Sequence, residues 1–128
     1  MTYPEFIAAN RIKFSATRTD RNPHMDDGAD MDHWRCVISR SGRRMVLTFS
    51  KGFGHNGAEP ELAEVLECLA SDAIMADELF ESWCASLGYD PDSRKAERTY
   101  KACRKQAASL RRVLGPAYDV MAAGEVES

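Results

Sequence analysis

In the stretch 34-WRCVISRSGRRMVLTF-49, large apolar residues occupy every second position on both sides of a tight turn, and this pattern sets the architecture of the sheet. The alternating apolar positions are Trp34, Cys36, Ile38, Met45, Leu47 and Phe49. A two-residue turn at Ser41-Gly42 pairs Arg40 with Arg43, and each apolar residue then faces an apolar partner on the same side. A shift by one residue would destroy that agreement. The pattern therefore predicts a β-hairpin with a fixed register.

Upstream of the hairpin, the sequence predicts one more strand and a short helix. Ile12, Phe14 and Ala16 alternate with polar residues, which indicates a half-buried strand and places a three-stranded sheet within residues 11–50. Thr2 and Glu5 have the spacing of a capping box, which predicts a helix over residues 2–9.

Downstream of the hairpin, the apolar spacing changes to three and four residues, which is typical of helices. It predicts helices over 60–70, 74–87 and 91–114, and a small, acidic tail over 117–128 that we expect to fray. The second helix should turn four apolar residues inward: Leu79, Phe80, Trp83 and Leu87. The third carries one apolar stripe: Ala96, Tyr100, Cys103, Ala107, Leu110 and Leu114.

These elements predict a single α+β domain over residues 1–128. Its three-stranded antiparallel sheet would be covered on one face by about three C-terminal helices, because that face is apolar and needs cover.

The chain has 128 residues and a net charge of −3, which argues against a globally basic nucleic-acid-binding protein. No apolar run approaches the ~20 residues of a membrane span, and the N-terminus lacks signal-peptide features, so we expect a cytoplasmic protein.

The four cysteines, at positions 36, 68, 84 and 103, form no C-x-x-C pair. This spacing argues against a structural zinc site, and the expected cytoplasmic location argues against disulfides. Each cysteine falls on the apolar phase of its segment, which predicts small buried core residues.

Charge is divided unevenly along the chain. Between Gly52 and Ser93 there are ten acidic residues and no lysine or arginine. We call its partner-binding candidates the acidic face: Glu61, Glu64, Glu67, Asp77, Glu78 and Glu81. The helix that follows reverses the sign. On a helical projection five of its cations lie opposite the apolar stripe, and we call them the basic ridge: Arg94, Arg98, Lys101, Lys105 and Arg112.

Three interpretations of this charge pattern stay open. The acidic face can imitate a nucleic-acid backbone and occupy a basic channel on a partner. The basic ridge can contact phosphates directly, which would make the protein a nucleic-acid-binding accessory protein. Alternatively, both are solvated helix faces that partly pair with each other.

A glycine-rich loop, 52-GFGHNG-57, matches the G-x-G-x-x-G pattern and lies between a predicted strand and a helix. However, the strand belongs to a hairpin rather than a βαβ unit, and Glu59 and Glu61 disfavour a phosphate at the helix start. A partner-binding loop is the better functional interpretation, with Lys51, Phe53, His55 and Asn56 as candidates. An ordinary connection and a small-ligand or catalytic site remain alternatives.

Other arrangements that carry chemistry are weak. The loop before the hairpin gathers possible oxygen and imidazole ligands without calcium-loop spacing, so a solvated loop is favoured over a metal site; they are His24, Asp26, Asp27, Asp30, Asp32 and His33. For nucleophilic catalysis, Cys36 with His33 or His55 is the only pairing to consider, and Cys36 points to the predicted core, where a thiol is inert.

Trp34 and Trp83 are expected in the core. We therefore predict no catalytic residue, no cofactor and no enzyme activity.

Three segments carry a family resemblance: 66-LECLASDA-73, 80-FESWC-84 and 87-LGYDPDSRKAE-97. Together with the hairpin they resemble small uncharacterised proteins encoded by bacteriophages and prophages, over about residues 33–115. The resemblance implies that the protein works in a bacterial host cell. Small acidic phage proteins without catalytic motifs are often inhibitors of host defence, including anti-CRISPR proteins. It therefore implies an inhibitor that binds a host nucleoprotein, with a CRISPR effector as the suspected partner.

Overall fold

The computed structural model describes residues 1–20, 31–52 and 58–127. Within them lie three strands and five helices, and the order along the chain is α1 (Tyr3–Asn10), β1 (Lys13–Thr19), β2 (Met31–Arg40), β3 (Arg43–Gly52), α2 (Leu62–Ala76), α3 (Phe80–Leu87), α4 (Arg94–Leu114) and α5 (Pro116–Ala122). The strands form one antiparallel sheet in the order β1-β2-β3. The predicted α+β class and sheet are confirmed.

The hairpin forms with the predicted register. Arg40 pairs with Arg43, and Trp34 pairs with Phe49 at the other end of the apolar series. Strand β1 extends the same arrangement, because Phe14 lies opposite Ile38 and Ala16 lies opposite Cys36. One face of the sheet is therefore apolar across all three strands, and the turn residues Ser41 and Gly42 both take positive φ.

The main core fills the space between this apolar face and four helices. Cys36 and Ile38 of the sheet are fully buried together with Phe6 of α1, Leu66 of α2 and Leu114 of α4. Helix α1 begins with the predicted capping box, in which Thr2 and Glu5 bond each other reciprocally. The 21-residue α4 contributes to this core mainly through its C-terminal end.

A second, smaller core lies at the N-terminal end of α4, where α3 packs. Its buried residues are Trp83, Cys84 and Ala96. The Trp83 and Tyr89 rings stack with their centroids 5.1 Å apart, and Tyr100 donates its hydroxyl to the main-chain carbonyl of Glu78 over 2.6 Å. Helix α3 is thus attached through aromatic residues rather than through the sheet.

The predicted boundaries of the middle helices are wrong. Helix α2 continues through Ile74 to Ala76, and the second helix begins only at Phe80. Of the residues predicted to point inward, Leu79 is 80% exposed and Leu87 is 49% exposed. They lie at the two ends of α3, which has only eight residues. Such a short helix buries its central residues and leaves its ends in solvent.

The tail is also more ordered than the sequence predicted. Helix α5 occupies 116–122, and Ala117, Tyr118 and Met121 are buried. Beyond it, the main-chain N–H of Tyr3 donates to the carbonyl of Glu127 over 2.9 Å, which ties the two ends of the chain together. Apolar spacing in this short, acidic segment supplied the packing surface that the prediction of fraying overlooked.

Candidate functional site

The acidic face is only partly what the sequence predicted. Exposed carboxylates lie before and along α2, between α2 and α3, and on α3, at Glu61, Glu67, Asp77 and Glu81. Glu64 and Glu78 are half-buried instead. Four of the six carboxylates of the acidic face are therefore exposed to solvent.

Glu64 and Lys51 bind each other. The Lys51 ammonium lies 3.1 Å from the Glu64 carboxylate, and the Lys51 side chain is 9% exposed against 38% for Glu64. Lys51 lies near the end of β3 on the side that faces α2. The expectation that Lys51 presents itself on a partner-binding loop is therefore wrong, and Glu64 serves the contact between the sheet and α2.

All five residues of the basic ridge are exposed, as the helical projection predicted. Lys101 forms an i,i+4 ion pair with Glu97 over 2.8 Å, which lowers the pKa of that carboxyl. Within the described parts of the chain, no ridge cation pairs with a carboxylate of α2 or α3. The acidic face and the basic ridge therefore remain two separate charged surfaces.

The C-terminal end of the ridge is tied to the hairpin. The Arg112 guanidinium donates to the main-chain carbonyl of Arg44 over 2.7 Å, and the Arg43 guanidinium donates to the carbonyl of Arg112 over 3.1 Å. Arg40 reaches two helix ends, donating to the carbonyl of Asn10 over 3.1 Å and to that of Leu114 over 3.0 Å. Carbonyls in the last turn of a helix lack intrahelical partners and carry partial negative charge, so they accept guanidinium donors.

Sequence reasoning missed this arginine group, because the residues come from two distant segments. The one available signal was the run Arg40-Ser41-Gly42-Arg43-Arg44 at the hairpin turn, where like charges lie close together. Because these like charges repel each other, such a run needs acceptors from elsewhere in the fold, and the carbonyls at the end of α4 are such acceptors.

The two candidate loops lie largely outside the described residues, including Phe53, His55, Asn56, His24, Asp26, Asp27 and Asp30. Two candidate ligands from the loop before the hairpin, Asp32 and His33, lie within the described residues, and they point to opposite faces of the sheet. Asp32 pairs with Arg18, whereas the next residue, His33, lies on the opposite face of the sheet with its Nδ1 2.6 Å from the Ser50 hydroxyl. Over the described ranges, no group of three or more histidine, cysteine, aspartate or glutamate side chains is placed to hold a metal ion.

The four cysteines differ in burial, and Cys103 is half-buried. Cys36 is fully buried, and desolvation raises its pKa to about 11, which suits a core residue rather than a nucleophile. Cys84 is also buried, but Cys68 is exposed on α2, so the prediction that every cysteine is a core residue is wrong there. Trp34 and Trp83 are buried, as predicted.

Comparison with known proteins identifies no relative. No family model, no curated protein sequence and no solved structure matches this chain. None of the helices in the described parts of the chain combines the length and hydrophobicity needed to span a bilayer.

Proposed function

We propose that this protein is a phage-encoded inhibitor that binds a host antiviral nucleoprotein complex, with a CRISPR effector as the first candidate. The observation that carries the proposal is the presence of two exposed surfaces of opposite charge, the acidic face and the basic ridge, that do not neutralise each other. The resemblance of about residues 33–115 to small phage proteins suggests the biological setting.

A nucleoprotein complex is a suitable partner because it also presents both signs of charge. Its protein subunits line nucleic-acid channels with lysine and arginine, and its nucleic acid exposes phosphates. Carboxylates such as Glu61, Asp77 and Glu81 would occupy a basic channel, while cations of the ridge would approach the nearby phosphates. Ion pairs at an interface steer association and select partners more than they add affinity, so the arrangement suits specific capture.

Three charge-reversal variants test the proposal. The acidic-face variant carries Glu61→Lys, Asp77→Lys and Glu81→Lys. The ridge variant carries Arg94→Glu, Arg98→Glu and Lys105→Glu. The control variant changes three exposed acidic residues near the C-terminus, Asp119→Lys, Glu125→Lys and Glu127→Lys. Tagged proteins are used for affinity purification from CRISPR-positive lysates, with and without nuclease, followed by mass spectrometry.

We expect the unaltered protein and the control variant to retain effector subunits after nuclease treatment. The acidic-face variant should lose them while its circular dichroism spectrum and melting temperature stay close to those of the control. Recovery of nucleic acid alone, lost after nuclease, would overturn the inhibitor and favour a nucleic-acid-binding accessory protein. Equal retention by all variants would also contradict the proposal.

A further inference from the structure

The face of the sheet opposite the main core is basic and polar. Residues of β1, β2 and β3 that alternate with the core residues form it, and all of them are described: Lys13, Ser15, Thr17, Thr19, Met31, His33, Arg35, Val37, Ser39, Arg44, Val46, Thr48, Ser50 and Gly52. We call this surface the outer sheet face. It contains lysine, arginine and many hydroxyl groups, and no acidic residue. The outer sheet face is therefore positively charged although the chain as a whole has a net charge of −3.

The half of the outer sheet face nearest the hairpin turn is open to solvent. Lys13, Arg35 and Arg44 are exposed, and Val46 between them is 46% exposed. The cross-strand register places Lys13 opposite Ser39 and Ser39 opposite Arg44. Two strand spacings, about 10 Å, therefore separate the Lys13 and Arg44 backbones. In the described parts of the chain, the side chains of Lys13, Arg35 and Arg44 have no acidic partner.

The C-terminal end of the basic ridge reaches the edge of this face. Arg112 is the last ridge residue, and it bonds the main-chain carbonyl of Arg44 on strand β3. The Arg44 side chain itself lies on the outer sheet face. The ridge from Arg94 to Arg112 extends about 27 Å along α4. Of the ridge cations in the described chain, Arg112 is therefore the one that lies at the edge of the outer sheet face.

We infer that the outer sheet face, together with the C-terminal end of the ridge, binds the phosphate backbone of double-stranded nucleic acid. Lysine, arginine, serine and threonine side chains are the usual donors to phosphate oxygens. The one aromatic ring on this face, the His33 imidazole, is buried and cannot stack on an unpaired base, and stacking platforms are the mark of single-strand binding surfaces. Recognition would therefore depend on backbone charge and be largely independent of sequence.

The inference goes beyond the proposed function, because a purified duplex should bind without any host protein. The two can fail separately. The acidic face is needed for capture of the effector in the proposed function, whereas it has no part in binding a duplex.

Fluorescence anisotropy with a labelled 20-base-pair DNA duplex tests the inference at several salt concentrations, and a 20-nucleotide single strand serves as comparison. One variant carries Lys13→Gln, Arg35→Gln and Arg44→Gln together. A matched pair of single changes compares Arg35→Gln with Arg104→Gln, since Arg104 is an exposed α4 arginine whose guanidinium lies against the Tyr100 ring. Each single change removes one positive charge from an exposed site.

We expect the duplex to bind more tightly than the single strand, with affinity that falls steeply as salt rises. The triple variant should lose roughly a hundredfold in affinity at low salt, and its salt slope should fall by about 3, one for each phosphate contact removed. Arg35→Gln should lower duplex affinity roughly fivefold and Arg104→Gln less than about twofold.

Three results would overturn the inference: no duplex binding at 50 mM salt, tighter binding to the single strand, or equal effects of the two single changes. Unfolding of the triple variant would be visible by circular dichroism, and the paired single changes would then decide.

Discussion

The guanidinium of Arg112 donates a hydrogen bond to the main-chain carbonyl of Arg44 over 2.7 Å, and this contact joins the end of α4 to the hairpin. Arg43 returns a bond to the carbonyl of Arg112, so the two segments hold each other through main-chain acceptors rather than carboxylates. The positive charge of these arginines is therefore not neutralised where they meet. Where the end of α4 meets the hairpin, the fold therefore gathers cations without a carboxylate between them in the described parts of the chain.

Replacing Arg40 should destabilise the domain more than replacing a neighbouring arginine. Arg40 bonds the carbonyls of Asn10 and Leu114, so Arg40→Gln leaves two half-buried helix-end carbonyls without a donor. We expect the free energy of unfolding to fall by roughly 2–3 kcal/mol. Arg43→Gln, the control, removes one exposed bond and should cost less than about 1 kcal/mol. Urea unfolding followed by circular dichroism measures both, and equal losses would contradict the role assigned to Arg40.

The ion pair between Lys51 and Glu64 should respond asymmetrically to mutation. Glu64→Gln leaves the buried Lys51 ammonium without a counter-charge, and we expect a loss of roughly 2–4 kcal/mol. Lys51→Met leaves Glu64 Oε1 buried without its cation, but the Glu64 side chain as a whole is more than a third exposed, so its loss should be smaller, about 1 kcal/mol. Thermal and urea unfolding of both variants test the order. A larger loss for Lys51→Met would show that the burial argument is wrong.

The attachment of α3 through aromatic residues predicts local rather than global loosening. Tyr100→Phe removes the hydroxyl bonded to the Glu78 carbonyl, at a cost of about 1 kcal/mol. Hydrogen exchange should accelerate in α3 while the sheet amides stay protected. Tyr89→Phe is the matched control, because it keeps the ring stacked on Trp83. Faster exchange throughout the sheet in Tyr100→Phe would contradict the independence of the second core.

Thiol labelling should distinguish the cysteines and depend on pH. Cys68 is exposed, and partial burial together with the Asp72 and Glu64 carboxylates raises its pKa above the ordinary value of 9.0. Because the thiolate is the reactive form, labelling of native protein should be slow at pH 7 and still rise beyond pH 9. Cys36, buried and with a pKa of about 11, should react only on unfolding. Mass spectrometry after alkylation reads each site, and early labelling of Cys36 would contradict its place in the core.

The sequence predicted the sheet well because a hairpin is a local structure. The short turn fixes the pairing of Arg40 with Arg43, and the alternation of apolar residues then determines which face is buried. The basic ridge was equally accessible, because the face of a long helix follows from residue spacing alone.

The remaining features depended on contacts between distant segments. Leu79 and Leu87 have apolar side chains with helical spacing, and only the short length of α3 explains why both are exposed. Glu64 and Lys51 looked like surface charges until the end of β3 was placed against α2. The outer sheet face was overlooked because its cations come from three strands and are separated along the chain by the residues of the core.

Phage plating on CRISPR-immune bacteria shows whether this protein inhibits a CRISPR effector in the cell. Strains that carry different CRISPR systems and express the unaltered protein, the acidic-face variant or the control variant are infected with a targeted phage. We predict that the unaltered protein and the control restore plaque formation on at least one immune strain, with no effect on a strain lacking CRISPR. The acidic-face variant, folded and present at the same level, should fail to do so. Unchanged immunity in every strain, or equal rescue by the acidic-face variant, would contradict inhibition through this surface.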